Sequence, residues 1–307
     1  MRSKRKRNRP GCFILLAAVC LGLFVTLYQT ADPPQEGTQW QALDQVSLTS
    51  ESAAVLDRTS GEVVYLRGDR RRAPASLTKL MTALVTVESV SDLNATASVS
   101  AESYGQLIAA NAAMAGFLPD EEVSVRDLLY GLLLPSGADA AEALACFVSG
   151  SESEFVDQMN DRARELGLND THFANSWGID ELLLYSTAAD MARLLDTVLD
   201  NETLRAILTT PHYTSASTLA HPEGLSFSST LLESGLDLSL ASGWLLGGKT
   251  GYTDNAGLCL ASFAEIDGRE YIVVTLGAPG NHSTSPYHIQ DTIALYSQDP
   301  RLSRGLE

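Results

Sequence analysis

The chain has 307 residues, enough for one large domain or two modest ones with buried cores, and its 38 acidic residues outnumber 21 basic ones for a net charge of −17. Six of the basic residues precede Pro10 and no acidic residue falls in 1–31, so the remainder carries 15 basic against 38 acidic residues, a net of −23. That balance excludes a general nucleic-acid binder and suits a soluble domain outside a membrane.

The N-terminus reads as an export element. Behind its basic tip, Gly11 to Tyr28 run 18 residues without a charge, just enough to span a bilayer. The best cleavage position, after Ala31, has Gln29 third from its end, which favours an uncleaved membrane anchor through 11–28 over a cleaved signal peptide. Either way the basic flank stays inside and the rest is expected on the extracytoplasmic side of the cell membrane. Residues 1–31 are therefore the anchor or signal segment, and 32–48, with Pro33-Pro34 and several glutamines, a linker. Residues 49–300 form one folded domain and 301–307 a tail.

Along that domain, "AAVLDRTSGEVVYL" predicts a hairpin around Thr59-Ser60-Gly61. In "RRAPASLTKLMTALVTVE" (71–88), Leu77, Leu80, Met81, Leu84 and Val85 repeat as the apolar stripe of a helix, with Pro74 marking its start. Ser76 opens that helix and Lys79 lies one turn above it on the same side. Helices follow in "SVRDLLYGLLL", "ADAAEALACFV", "SEFVDQMNDRARELGL" and "STAADMARLLDTVL", and Ser124/Asp127 and Asp139/Glu142 read as capping boxes. The end returns to strands, "GLCLASFAEIDGREYIVVTLGA", folding back at Asp267-Gly268. Strand pairs at both ends of a helical block predict an α+β unit whose sheet joins the two ends of the chain, with a helical lobe inserted. Of four cysteines, two lie in the apolar run; Cys146 and Cys259 either pair or remain buried thiols. The five histidines show no ligand spacing, so neither a metal site nor another cofactor is expected.

Three short stretches carry possible chemistry. A lysine in the first turn of a helix opposes the helix dipole. Ser76 and Lys79 are therefore either a cap and a solvated cation, or a nucleophile and the base that deprotonates it. The second reading requires burial or a neighbouring cation to lower the lysine's pKa. "LLLPSGADAAEAL" breaks at Pro135 and leaves Ser136-Gly137 in a tight turn, on its own a helix connector. "WLLGGKTGYTDNAGLCLASFA" sets Lys249-Thr250-Gly251 behind two glycines, where another backbone or a ligand can come close.

Together, Ser-x-x-Lys, then Ser-Gly-x, then Lys-Thr-Gly follow the order of penicillin-binding proteins and class A β-lactamases. "VLDRTSGEVVYLRGDRRRAPASLTKLMTAL", "VRDLLYGLLLPSGADAAEALA", "FVDQMNDRARELGLNDTHFANSWGID", "YSTAADMARLL" and "GGKTGYTDNAGLCLASFA" extend the likeness over roughly residues 50 to 280. The chain resembles the D-alanyl-D-alanine carboxypeptidase family of low-molecular-mass penicillin-binding proteins. The resemblance implies a β-lactamase/transpeptidase-like fold with the site between sheet and helical lobe, and a catalytic domain over 49–300. It implies Ser76 as the nucleophile, acylated by the penultimate D-alanine of a peptidoglycan stem peptide, and Lys79 as its base. Ser136 would relay a proton to the leaving amine. Lys249 and Thr250 would bind the substrate carboxylate, beside Gly251, with Ser76 and Tyr252 N–H groups as the oxyanion hole. β-Lactam antibiotics would acylate Ser76 and stay.

The chain departs from the family at Ala138, where the second motif usually has asparagine. This leaves a slower site, or one that borrows a polar group such as Asp139. Three alternatives follow: a DD-endopeptidase cutting peptidoglycan crosslinks with the same residues, a non-catalytic penicillin-binding relative, and a β-lactamase. The last lacks a convincing E-x-x-x-N element, since "EFVDQMN" has the wrong spacing. By comparison with the family, the chain is expected to lack the extra β-rich domain and C-terminal anchor of many relatives and to be anchored by its N-terminal segment.

Overall fold

The computed structural model describes Leu43 and residues 46–297, and in it the chain opens as β1 (Ser52–Asp57) and turns back as β2 (Glu62–Arg67). Gly61 makes that turn at φ +73°, a conformation a Cβ disfavours. A 3₁₀ turn, Ala75–Thr78, leads straight into α1 (Lys79–Ser89). The helical block follows as α2 (Ala101–Ala109), α3 (Val125–Leu133), α4 (Ala138–Ser149) and α5 (Glu152–Glu165). Within it β3 (Thr96–Ala97) pairs with β4 (Val123–Ser124). Then come α6 (Ala188–Asp200), α7 (Glu202–Leu208) and a small hairpin, β5 (His212–Thr214) with β6 (Ser226–Ser228). The chain returns to the sheet as β7 (Ser239–Leu240), β8 (Gly243–Thr253), β9 (Gly257–Ile266) and β10 (Arg269–Ala278), and α8 (Tyr287–Ser297) follows.

Six strands form one antiparallel sheet in the order β2-β1-β10-β9-β8-β7, so β1 lies between its own hairpin partner and a strand from the far end of the chain. Asp267 and Gly268, at φ 50° and 75°, close the β9–β10 hairpin as the sequence predicts. All of β1 is buried because the sheet is covered on both faces. Ala54 and Leu56 enter the main core, whereas Ala53 and Val55 meet Tyr271, Val273 and Tyr296 in a second one. Helix α8 packs on β9 and β10, and α6 on β1 and β10. Met191, Leu194, Leu195 and Val198 of α6 are each fully buried at helical spacing. Each contributes about 1.5–3 kcal/mol of burial, and truncating Leu195 to alanine costs ~2–5 kcal/mol.

Helix α1 joins the two parts of the molecule. It packs on α4, α3 and α5 of the lobe and on α6, while the 3₁₀ turn before it lies against β8. The nucleophile candidate therefore sits on the seam between sheet and lobe. The expected capping box at Ser124 is present: its hydroxyl accepts the Asp127 N–H at 3.0 Å. The second is not. Helix α4 is capped at Gly137 with no side-chain bond, and Asp139 turns to a neighbouring loop instead of pairing with Glu142. Cys146 and Cys259 are free thiols, not a disulfide. Leu43 and Leu48, from the stretch read as linker, are buried in the second core, so packing begins at least as early as Leu43. The apolar run 11–28 and residues 298–307 lie outside the described residues; among those described, no helix is long and apolar enough to cross a membrane.

Candidate active site

Ser76 lies inside the 3₁₀ turn and caps nothing, because the turn has no side-chain cap bond. Ala75 before it holds φ +50°, an uncommon conformation for a residue with a Cβ, and stored strain of this kind marks functional turns. The turn is wedged in place. A Cβ on Gly178 would stand 2.1 Å from Ala75 O, and one on Gly251 would stand 3.1 Å from Ser76 N. Gly178 is required for these backbones to touch, and Gly251 lets β8 approach Ser76 without displacing it.

Lys79 is 2 % exposed and its Nζ lies 3.0 Å from Ser76 Oγ. The same Nζ donates to Trp177 O at 2.6 Å. Lys249 is fully buried on β8 and donates to Thr250 O at 2.8 Å. No carboxylate pairs with either lysine among the described residues. Burial, and next the charge of Lys249, push Lys79 well below the ordinary lysine value, against a weaker opposing pull from Asp139. Burial alone lowers Lys249 to about 7. Lys79 is thus held less readily as a cation than an ordinary lysine, with its amine placed to accept a proton from the hydroxyl it touches.

Ser136 follows Pro135 at φ +69°, in the break between α3 and α4, and its buried Oγ has no hydrogen-bond partner. It lines a cavity of about 400 Å³ with Ser76, Thr250, Gly251 and Tyr252, so the three motifs converge on one cleft. Strand β7 pairs β8 only at Gly243 and Trp244, leaving Lys249–Thr253 with a free edge on the cleft side. Of the seven residues singled out in the sequence, Ser76, Ser136, Thr250, Gly251 and Tyr252 line this cavity; Lys79 contacts Ser76 and lines an adjoining one, and Lys249, fully buried beside Thr250, lines neither.

Several neighbours carried no such signal. Thr230 shares a 2.6 Å hydrogen bond with Thr250 through their hydroxyls. His282 packs edge-on against Tyr252 at 4.9 Å, and His288, its Nδ1 buried and unpartnered, also lines the cleft. Burial lowers His288 to about 4, so it is a neutral wall. A contiguous cavity of about 350 Å³, also bounded by Ser76 and Tyr252, is lined further by Lys79, Asn111, Ala138 and Trp177. Asp139 does not replace an asparagine at 138. Its carboxylate is fully buried and accepts N–H groups from Ala115 (2.8 Å), Gly116 (2.9 Å), Phe117 (3.0 Å) and Ala140 (3.0 Å). Among the described residues no cluster of side chains could hold a metal.

A family model described as D-alanyl-D-alanine carboxypeptidase matches residues 38–280. The chain is 33% identical over 86% of its length to D-alanyl-D-alanine carboxypeptidase DacF of Bacillus subtilis, of which it spans 66%. It is 31% identical over 94% of its length to a D-alanyl-D-alanine endopeptidase of Pseudomonas aeruginosa, covering 87% of that protein. Among solved structures, the Streptomyces K15 DD-transpeptidase superposes with a TM-score of 0.73 at 29% identity, covering 83% of this chain and 98% of that one.

Proposed function

The chain belongs to the D-alanyl-D-alanine carboxypeptidase family, and from that premise we propose that it is a serine-type hydrolase removing the terminal D-alanine of peptidoglycan stem peptides through an acyl-enzyme on Ser76. The observation that carries the proposal is the 3.0 Å contact of Ser76 Oγ with a lysine deprived of counter-charge. The extended end of the substrate lies along the free edge of β8 as an added strand. Lys79 takes the Ser76 proton as Oγ bonds to the penultimate D-alanine's carbonyl carbon. Ser76 and Tyr252 N–H groups hold the developing oxyanion, a contribution of about 3 kcal/mol per donor. The C–N bond then breaks and the departing amine receives a proton passed from Lys79 through Ser136. Water hydrolyses the ester and restores Ser76. Lys249 and Thr250 hold the terminal carboxylate, and a β-lactam enters the same path and is retained as a stable acyl group.

In this reading the segment 11–28 anchors the enzyme in the cell membrane with the acidic domain outside. The likeness to an endopeptidase over nearly the whole chain makes crosslinked peptides the second substrate to offer. D-Alanine release from a pentapeptide ending in D-Ala-D-Ala, with Ser76→Ala as the blank, tests the proposal. Equal release by both proteins sinks it, and release from crosslinked dimers only would convert it to the endopeptidase.

A further inference from the structure

The cleft wall opposite β8 offers a substrate few polar groups. Helix α4 presents Ala138, which has no side-chain donor or acceptor, and Asp139 beside it is occupied by four backbone N–H groups. Asn111 stands in the same cavity as Ser76, Lys79, Ala138 and Trp177, and among the described residues its carboxamide makes no hydrogen bond.

Its backbone has an ordinary explanation. Asn111, at φ +53°, ends α2: its N–H bonds Ile108 O at 3.0 Å and the Ala112 N–H bonds Leu107 O at 3.0 Å, the two bonds of a Schellman motif. That cap requires a left-handed residue, which glycine fills best, and makes no use of a carboxamide. Asparagine is the residue that follows glycine in preference there, so the cap accounts for the residue type but leaves its exposed carboxamide open to a ligand. The loop that follows it is held in place, while Asn111 itself is exposed. The Ala138 N–H bonds Ala113 O at 2.7 Å, and the Asp139 carboxylate gathers Ala115, Gly116 and Phe117. A Cβ on Gly137 would stand 2.6 Å from Ala115 Cβ, so the loop rests directly on the turn that carries Ser136.

We propose that Asn111 is a substrate-contacting residue, its carboxamide hydrogen-bonding the backbone amide on the acyl side of the scissile bond. A primary amide has a donor and an acceptor on one plane, which suits a peptide unit held extended along β8. Asp139 is its positioning residue. The inference rests on the acyl-enzyme reading of Ser76.

The test uses the full chain. Asn111→Gly preserves the helix cap and removes the carboxamide. Its Tm is expected to equal or exceed the wild type's, while kcat/KM for D-alanine release and the rate of acylation by benzylpenicillin fall roughly 10- to 100-fold. Adding Ala138→Asn, which puts a carboxamide on the facing helix, is expected to recover much of the loss. An N-acyl-D-Ala-D-Ala substrate methylated on the acyl-side amide nitrogen should be cleaved alike by wild type and Asn111→Gly. Wild-type activity with Asn111→Gly within about twofold of it on the unmethylated substrate overturns this inference alone, as does an equal loss on both substrates. A wild type that neither acylates nor releases D-alanine overturns the acyl-enzyme reading first, and this inference with it.

Discussion

Two groups of buried or half-buried cations are treated in opposite ways in this molecule. Arg58, just after β1, binds Asp196, Asp200 and Glu270, each at 2.7 Å, and Arg205 closes the network on Glu270. Burial works against the Arg58 charge, but the hydrogen bonds it donates to Asp196 and Glu270 outweigh it and hold its pKa above the ordinary value. Lys79 and Lys249 are more deeply buried and receive no paired carboxylate, so their pKa values fall. The first arrangement ties strand to helix, and the second, in the proposed mechanism, supplies a base at a cost in stability.

Exchanging the two treatments should separate activity from stability. Lys79→Met, which fills similar volume without an amine, is expected to reduce D-alanine release and benzylpenicillin acylation at least ~1,000-fold while raising Tm. A variant that loses activity and also melts lower contradicts the cost assigned to the buried lysine.

Lys249 gives the pH signature. Its folded pKa of about 7 lies below the ordinary 10.5, so between these values the unfolded chain binds the extra proton and stability rises with pH. Lys249→Met should therefore raise Tm by roughly 5 °C near pH 7, with the gain shrinking toward pH 10. In the wild type, kcat/KM for a carboxylate-ended peptide should fall as pH rises through about 7, where the free enzyme loses the Lys249 charge. A flat profile from pH 6 to 9 removes Lys249 from carboxylate binding.

The charge network should respond in the reverse sense. Arg58→Met strands Asp196, leaves Glu270 to Arg205 alone, and is expected to cost about 2 kcal/mol in denaturant unfolding, with kcat/KM unchanged. Asp200, its side chain 75% exposed, should matter least: Asp200→Asn is expected to cost under ~0.5 kcal/mol. A loss from Asp200→Asn as large as that from Arg58→Met would mean the network acts as one unit.

What the sequence discloses follows the same division. Local periodicity and turn chemistry announce α1, the β9–β10 hairpin and the Ser124 cap, because each is decided within a few residues. The order of the three motifs, through the family they resemble, singles out Ser76, Lys79, Ser136 and Lys249 as candidates. The cradle around them is hidden because its parts are long-range. Trp177 contributes a carbonyl, which every residue has. Thr230 acts through a partner 20 positions away, and Asn111 lies on a loop with no periodic pattern. Asp139 misleads: its spacing from Glu142 suggests a cap, yet three N–H groups of the 115–117 loop claim it. Those N–H groups have no residue code, so only the folded loop reveals them.

The most direct test of the account is an intact-mass time course of the full chain with benzylpenicillin, followed by mapping of the modified peptide. The account predicts a lasting adduct of one drug molecule on Ser76, absent in Ser76→Ala. An unmodified chain at high drug concentration, or an adduct that survives Ser76→Ala, would contradict it.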